Sequence, residues 1–270
     1  MNGIAHNAIL HDGHVRERIA RAFSRGATSY DDHAELQRHV ADRLLDQLPL
    51  LTTPATLLDL GCGTGYCTQR LQQRLPAAEV VAIDLAEPML QKTRTRCGKK
   101  LALLCGDAVA MPLHGDCIDL LFSSLTVQWC ADINALFREF QRVIRPGGSA
   151  LVSTLGPRTL QELRAAWQHV DARPHSNRFH RHEELLAAIA AAGLVGELET
   201  ELRIRYCESL TALAHELRGL GANTVATSQS PSSVSPLAFK KASAAFAQQR
   251  DSLGIPVSWE IFYLRLHKPE

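Results

Sequence analysis

The sequence predicts an α/β fold, a doubly wound and mostly parallel sheet of seven strands carrying a helical cap. Three observations predict it. Between residues 56 and 154, short runs rich in leucine and β-branched residues alternate with helix-length amphipathic segments, the pattern of strands buried on both faces of a parallel sheet. The first of these runs ends in a glycine-rich turn, LLDLGCGTG at 57–65, and helix-forming sequence follows directly. Beyond residue 158 the alternation becomes irregular, with helices and two longer strand-like runs that leave room for insertions.

Length and composition bound the rest. A chain of 270 residues suffices for one large domain or for a core with an elaborated cap. Hydrophobic residues make up 46% and charged residues 21%, ordinary values for a globular protein. No apolar run approaches 18 residues, so no transmembrane helix and no membrane partner are expected. The N-terminal segment lacks the apolar stretch of a secretory signal. A net charge of +1 argues against a general nucleic-acid binder. Seven cysteines are present and none forms a C-x-x-C pair, which reads as reduced thiols in a cytoplasmic protein. His11 and His14 are spaced to share a metal, but a polar terminus is the simpler reading and no metal is expected.

The elements follow in order. Residues 1–14 lack periodicity and are expected to be disordered. Residues 15–48 read as helix, with Val15, Ile19, Ala22 and Phe23 in one stripe and Leu36, Val40, Leu44, Leu45 and Leu48 in a second. Ser29-Tyr30-Asp31-Asp32 interrupts them, and 49–54 is a linker. Strands are predicted at 56–60, 79–84, 101–105, 117–123 and 149–154. The intervening helices fall at 66–74, through Met89 and Leu90, and at 134–143. Pro146-Gly147-Gly148 reads as a turn into the fifth strand. Helices are then predicted at 159–170, 181–192, 209–220 and 239–250, with Gly193 stopping the second. Residues 197–206 alternate like an edge strand, 227–236 is a Ser/Pro-rich loop, and 257–267 is the last strand. The expected organisation is an N-terminal helical segment, 1–50, contributing to the cap, and a main domain, 51–270, with cap insertions near 158–181 and 207–254.

The chemistry concentrates at the ends of the first four strands. Asp59 closes an apolar run, and Gly61, Gly63 and Gly65 follow at alternate positions. A buried strand entering a glycine-rich turn and then a helix is a nucleotide-cofactor site. Glycine lets the backbone take positive φ and approach a ligand closely. A dinucleotide loop reads G-x-G-x-x-G and requires glycine at position 66; this chain has Tyr66 there. The G-x-G-x-G spacing, with an acid two residues ahead, resembles motif I of the class I S-adenosylmethionine (SAM) methyltransferases. That ligand has no phosphate, and the loop has no lysine. An acid near the loop balances the ligand's positive groups, and loop amides can receive its carboxylate.

Further motifs fall in register with that resemblance. Asp84 lies 19 residues after Gly65, where an acid in nucleotide-binding α/β folds accepts from a ribose diol. Leu85 and Met89 follow and are placed to lie beside adenine. The resemblance implies that Asp107, in Gly106-Asp107-Ala108 after the third strand, accepts from the adenine amino group while the next amide meets a ring nitrogen. Asp107 as a helix N-cap is the alternative. Ser123 begins the stretch that leads to Gln128 and Trp129, in the carboxyl-end crevice where open α/β sheets bind ligands; Trp129 is either core or a wall of the transfer cavity. Arg145-Pro146-Gly147-Gly148 matches the family's turn before strand five.

Segments outside the sheet narrow the resemblance. Phe23-Ser24-Arg25 with Tyr30-Asp31 and Leu36-Gln37 resembles the N-terminal signature of the malonyl-[acyl-carrier-protein] O-methyltransferases of biotin synthesis. Asn177-Arg178-Phe179, the run Leu217-Arg218-Gly219-Leu220-Gly221-Ala222 and the final VSWEIFYL resemble that family too. The similarity runs from about residue 15 to 266. It implies a last strand antiparallel to the others, SAM as methyl donor, no metal, and malonyl-acyl-carrier protein as partner. The reaction implied is methyl esterification of the free malonyl carboxylate. Such a carboxylate is ionised at neutral pH and needs no general base. Arg25, Arg178 and Arg218 match it as guanidinium partners, with Tyr30, Gln128 and Trp129 positioning substrate. Arg16, Arg18, Arg21, Arg25, Arg38 and Arg43 crowd the first segment, either as a patch able to steer an acidic carrier or as a surface salt-bridged with Glu17, Asp31, Asp32 and Glu35, while the loop at 222–234 is serine-rich where basic residues are expected. Two other functions fit the same motifs: a methyltransferase acting on another small carboxylic acid or a quinone-ring carbon, and a SAM-binding protein without catalysis.

Overall fold

The computed structural model describes residues 13–48, 54–168, 170, 174–222 and 234–270. His11, most of the expected 49–54 linker and most of the serine-rich stretch lie outside them. One seven-stranded sheet organises the chain: β1 (Thr56–Leu60), β2 (Glu79–Asp84), β3 (Ala102–Cys105), β4 (Ile118–Ser124), β5 (Ile144–Leu155), β6 (Val195–Cys207) and β7 (Ile255–His267). Its spatial order is β3-β2-β1-β4-β5-β7-β6. The β1–β2, β1–β4, β2–β3 and β4–β5 pairs are parallel. The Gly147 N–H reaches the Lys268 carbonyl at 2.9 Å, and Gly156 N–H reaches the Glu260 carbonyl at 2.8 Å. Residue numbers therefore rise on one strand as they fall on the other, and β7 is antiparallel to β5.

Strand order reverses beside β1, so the carboxyl ends of β1 and β4 flank the switch point where open α/β sheets hold ligands. The helices joining the parallel strands are α4 (Tyr66–Arg74), α5 (Glu87–Cys97) and α6 (Ile133–Val143). Phe137 and Phe140 of α6 meet edge to face, with ring centres 5.6 Å apart. They anchor a core that includes Leu58, Ile83, Leu121 and Val152 of the central strands. The N-cap of α6 is Asp132, which accepts from the Ala135 N–H at 2.9 Å.

The chain divides into two compact units. One gathers the described residues of Met1–His33, Leu155–Phe179 and Glu201–Ile261; the other holds Ala34–Thr154, His180–Thr200 and Phe262–Glu270. In the first unit, α2 (Tyr30–His33) packs on α9 (Leu210–Gly219), and the last residue of α1 (Gly13–Gly26) comes close to the end of α9. A Cβ on Gly219 would fall 2.0 Å from His33 Cδ2, and one on Gly26 would fall 2.9 Å from the Gly221 nitrogen. The Ser29 hydroxyl donates to the Gly219 carbonyl at 3.1 Å. Two motif segments nearly 190 residues apart thus fit together only because glycine stands at these positions.

In the second unit, α3 (Glu35–Leu45) meets α4. The Tyr66 hydroxyl lies 2.9 Å from each oxygen of Asp42, Arg70 Nε lies 3.1 Å from Oδ1, and the Arg70 guanidinium stacks 3.9 Å above the Tyr66 ring. The residue that excludes a dinucleotide loop is therefore used to fasten a neighbouring helix.

Several boundaries differ from those predicted, for identifiable reasons. Pro146-Gly147-Gly148 is not a separate turn but lies within β5. The register against β4 jumps from Ile118–Ile144 to Leu120–Ser149, so the three residues bulge from the pair. The interruption at 29–32 folds in part as the short α2. The helix expected at 239–250 is α10 (Pro236–Ala247), because Ser235 caps it by accepting from the Ala238 N–H and Pro236 occupies the first turn. The helix expected at 159–170 is α7 (Gln161–Gln168). It starts late because Thr159 donates its hydroxyl to the Glu260 carbonyl and Leu160 takes φ +57°. Residues 181–192 give α8 (His182–Ala191). No helix among the described residues is long and apolar enough to cross a membrane.

Candidate cofactor and methyl-transfer site

The glycine loop between β1 and α4 is shaped by three positive φ angles: 73° at Gly61, 54° at Gly63 and 84° at Gly65. The three residues serve different ends. A Cβ on Gly61 would fall 2.0 Å from Thr126 Oγ1, and one on Gly65 would fall 2.9 Å from Thr93 Cα. Gly61 is thus demanded by the segment after β4 and Gly65 by α5. A Cβ on Gly63 would meet nothing within 4 Å. Gly63 is therefore the point at which the loop opens onto free space.

Asp84 stands at the end of β2, facing that loop. Its Oδ2 accepts from the Gly63 N–H and its Oδ1 from the Ala86 N–H, both at 2.8 Å. Burial raises its pKa above the usual carboxylate value, and these backbone bonds pull it back. The Leu85 N–H also contributes, and the acceptor capacity that remains can take a ribose hydroxyl. The residues present fit the implied cofactor.

Three other loop amides are committed. The N–H groups of Gly61 and Cys62 both point at the Ile83 carbonyl, at 2.7 and 3.0 Å, and that of Gly65 bonds Cys62 O at 2.9 Å. The expectation that loop amides receive a ligand carboxylate does not hold for these or for Gly63, since each already has an acceptor. Asp59 is only 1% exposed and accepts from the Thr68 hydroxyl at 2.5 Å. Burial pushes its pKa up to about 7, against the lowering effect of the Thr68 bond, and the Asp84 charge adds to the rise. Asp59 is thus a buried carboxyl at the end of β1, coupled through its charge to Asp84.

Leu85 is half-buried after β2, and Met89 is buried on the inner face of α5. Gly106 donates its N–H to the Asp84 carbonyl at 3.1 Å, and a Cβ there would strike Pro112 at 2.8 Å. Asp107 opens a tight turn: its Oδ1 accepts from the Val109 N–H, and its carbonyl from the Ala110 N–H. No helix begins there, so Asp107 is not a helix N-cap. Ala108 is buried in that turn.

After β4 the chain forms a 3₁₀ turn, Val127–Trp129. Ser123 is buried and donates to the Leu60 carbonyl at 2.9 Å, so its hydroxyl ties β4 to the end of β1. Gln128 is buried; its Nε2 donates to the Leu125 carbonyl at 2.7 Å and its Oε1 accepts from Thr154 at 3.2 Å. Both ends of this amide brace the turn. Trp129 beside it is half-buried.

Comparison with known proteins bears on what this geometry serves. A family described as a methyltransferase domain matches residues 58–152. A malonyl-[acyl-carrier protein] O-methyltransferase from Dechloromonas aromatica is 37% identical over 254 residues, covering 94% of this chain and 95% of that protein. The chain belongs to the malonyl-[acyl-carrier protein] O-methyltransferase family. A biotin biosynthesis bifunctional protein, BioHC, from Cellvibrio japonicus is 40% identical over 94% of this chain, which spans about half (50%) of that longer protein. The fold is also that of the YcgJ protein from Bacillus subtilis, with a TM-score of 0.62 at 14% identity over 86% of this chain and 99% of that one.

Family membership makes this chain a methyltransferase and gives the sheet its class I SAM methyltransferase character. Of the acceptor-side candidates, Arg25 closes α1, Tyr30 opens α2, Arg178 lies between α7 and α8, and Arg218 lies in the last turn of α9. All four belong to the first unit, whereas Gln128 and Trp129 belong to the second. Arg21 pairs with Glu17 at 2.8 Å on the exposed face of α1.

Residues that sequence reasoning missed hold the loop. Thr93 donates to the Gly63 carbonyl at 2.8 Å, and Arg96 donates to both oxygens of Thr64 at 3.0 Å. Their spacing from Met89, at i+4 and i+7 on α5, is the one sequence signal that could have found them. The cysteines Cys62 and Cys67 beside the loop form no disulfide, and burial pushes both thiols well above their usual range.

Proposed function

We propose that this chain transfers a methyl group from SAM to the free carboxylate of malonyl-acyl-carrier protein, giving the methyl ester that serves as primer in biotin (pimeloyl) synthesis. The observation that carries this reading is the end-to-end similarity to the Dechloromonas enzyme, across the sheet and the inserted segments alike. SAM, when bound, supplies an electrophilic methyl group on a sulfonium. Asp84 holds the ribose diol, and Gly63 gives the ligand a close backbone approach in a loop that Gly61 and Gly65 shape. Asp59, when ionised, adds negative charge at the entrance to the loop. Leu85, Met89, Gly106, Asp107 and Ala108 form the adenine side, and Ser123 keeps the ends of β1 and β4 together.

The acceptor needs orientation rather than activation. A malonyl carboxylate is ionised at neutral pH, so the protein's work is to align one of its oxygens with the methyl group and exclude water. We assign Arg25, Arg178 and Arg218 to holding that carboxylate, and Tyr30, Gln128 and Trp129 to positioning it. The ion pair must stay moderate, because the carboxylate loses charge in the transition state and a tight pair would favour the ground state. The test is mass spectrometry of malonyl-carrier protein after incubation with SAM and the enzyme. A carrier-bound methyl ester is expected; an unchanged carrier, with turnover of another carboxylic acid, would replace this reading.

A further inference from the structure

We infer that β6 is the pairing edge of a two-fold dimer of this chain, with Leu202 on the axis. The strand ends the sheet, and the described residues place no strand beyond it. It is 13 residues long, carries no proline, and its apolar row faces outward. Leu202, Ile204 and Tyr206 are 38%, 49% and 42% exposed, and Leu253, next to the Gly254 that packs on Tyr206, is 70% exposed. Earlier in the same row, Leu198 packs against the core that contains Leu185 and Ile189 of α8. The row thus runs on, bare, past the helix that covers its start. Long apolar edges are templates for pairing and are normally blunted.

The charges on the other face say what the edge pairs with. Glu197, Glu199 and Glu201 occupy its first half, Arg203 and Arg205 its second. In antiparallel pairing, directly opposed residues share a face, so a two-fold axis through the sheet must pass through one residue position. With the axis at Leu202, Glu201 opposes Arg203 of the second copy and Glu199 opposes Arg205, each twice. Leu202 meets its own counterpart, Ile204 meets Thr200, and Tyr206 meets Leu198. Moving the axis by one position to 201 or 203 sets Glu201 against itself or Arg203 against itself. Moving it by two, to 200 or 204, opposes Glu199 to Glu201 or Arg203 to Arg205. Like charges directly opposed destabilise a pair. Leu202 is thus the central register free of them, and the occupant that this alternation fits is a second copy of β6. Within the chain Glu199 bonds Arg43 and Arg205 bonds Glu216 at 2.6 Å. These contacts hold the charged side chains in place on their face, and a carboxylate can accept from two guanidinium groups.

Sedimentation velocity of the full chain, at low salt and over about 1–100 μM, tests the pairing. A dimer is expected for the wild type. Arg203→Glu alone and Glu201→Arg alone each set like charges against one another and are expected to raise the dissociation constant at least about tenfold. An equimolar mixture of the two singly reversed proteins restores every opposite-charge pair, and so should dimerise although neither component does. That rescue separates the pairing from any loss of folding. A monomeric wild type at all concentrations overturns the inference. So does a dimer whose dissociation constant ignores both reversals, or a mixture that stays monomeric.

Discussion

The backbone N–H of Gly63 bonds directly to the carboxylate of Asp84, 21 residues away, at 2.8 Å. The group expected to grip the ribose is the same group that holds the glycine loop against the end of β2. Ligand recognition and loop geometry therefore share one side chain.

Replacing Asp84 by Ala should weaken SAM binding by roughly 1–3 kcal/mol, the cost of leaving buried partners unmatched. Asp84→Asn should also weaken it, because one of its two side-chain atoms would turn a donor toward a backbone N–H. Titration calorimetry measures both. Unchanged affinity in the Ala variant removes Asp84 from the site.

Two glycines of the same motif should fail in different ways. Gly61→Ala drives a methyl group into Thr126 at a positive φ, and should cost about 2–5 kcal/mol of stability. Gly63→Ala pays only the backbone term, about 1–2 kcal/mol, but places its methyl group in the open space where the ligand is expected. Thermal melting and SAM affinity on both variants should show a large melting loss for the first, and for the second a larger loss of affinity than of stability.

Asp59 should make stability depend on pH. Its pKa is raised from 3.8 to about 7 in the folded protein. Between those values the native state holds a proton that the unfolded chain has released, so stability falls as pH rises and levels off above about 7. The full swing is on the order of 4 kcal/mol as an upper bound. Denaturant midpoints from pH 5.5 to 8 should fall more steeply in the wild type than in Asp59→Asn. Parallel profiles would assign the dependence to other groups.

Tyr30→Phe should leave melting and SAM binding nearly unchanged and lower turnover about tenfold, equivalent to about 1.4 kcal/mol of transition-state stabilisation. Steady-state methyl transfer decides it. A wild-type rate removes the hydroxyl from the mechanism, and a lowered melting temperature points to packing on the α1–α2 turn instead.

The parts legible in the sequence are those whose chemistry is local. Glycine spacing, an acid at a strand end and the period of the apolar residues located β1, α4 and β2 to the residue, and they brought Gly63 and Asp84 to one place. Alternation also identified β6 as an edge strand. Thr68, Thr93 and Thr126 escaped notice because a threonine on a helix or after a strand carries no pattern; its partner is chosen by which strand ends lie side by side. Gln128 stood out because it follows a strand, but the partners that fix the orientation of its amide, Leu125 and Thr154, carry no sequence signal. Pro146-Gly147-Gly148 read as a turn from residue type alone. Pairing with the segment at Lys268, far along the chain, draws it into β5.

The bonds around the glycine loop carry a thermodynamic consequence. Gly61, Cys62, Gly63 and Gly65 each spend their N–H within the fold, and Thr93 and Arg96 hold the carbonyls of Gly63 and Thr64. A segment restrained on every side has little freedom left to lose when a ligand arrives. The ordering entropy was spent during folding, so association draws on a preorganised cradle. The heat-capacity change on cofactor binding should then reflect the apolar surface covered, with little contribution from a loop becoming ordered.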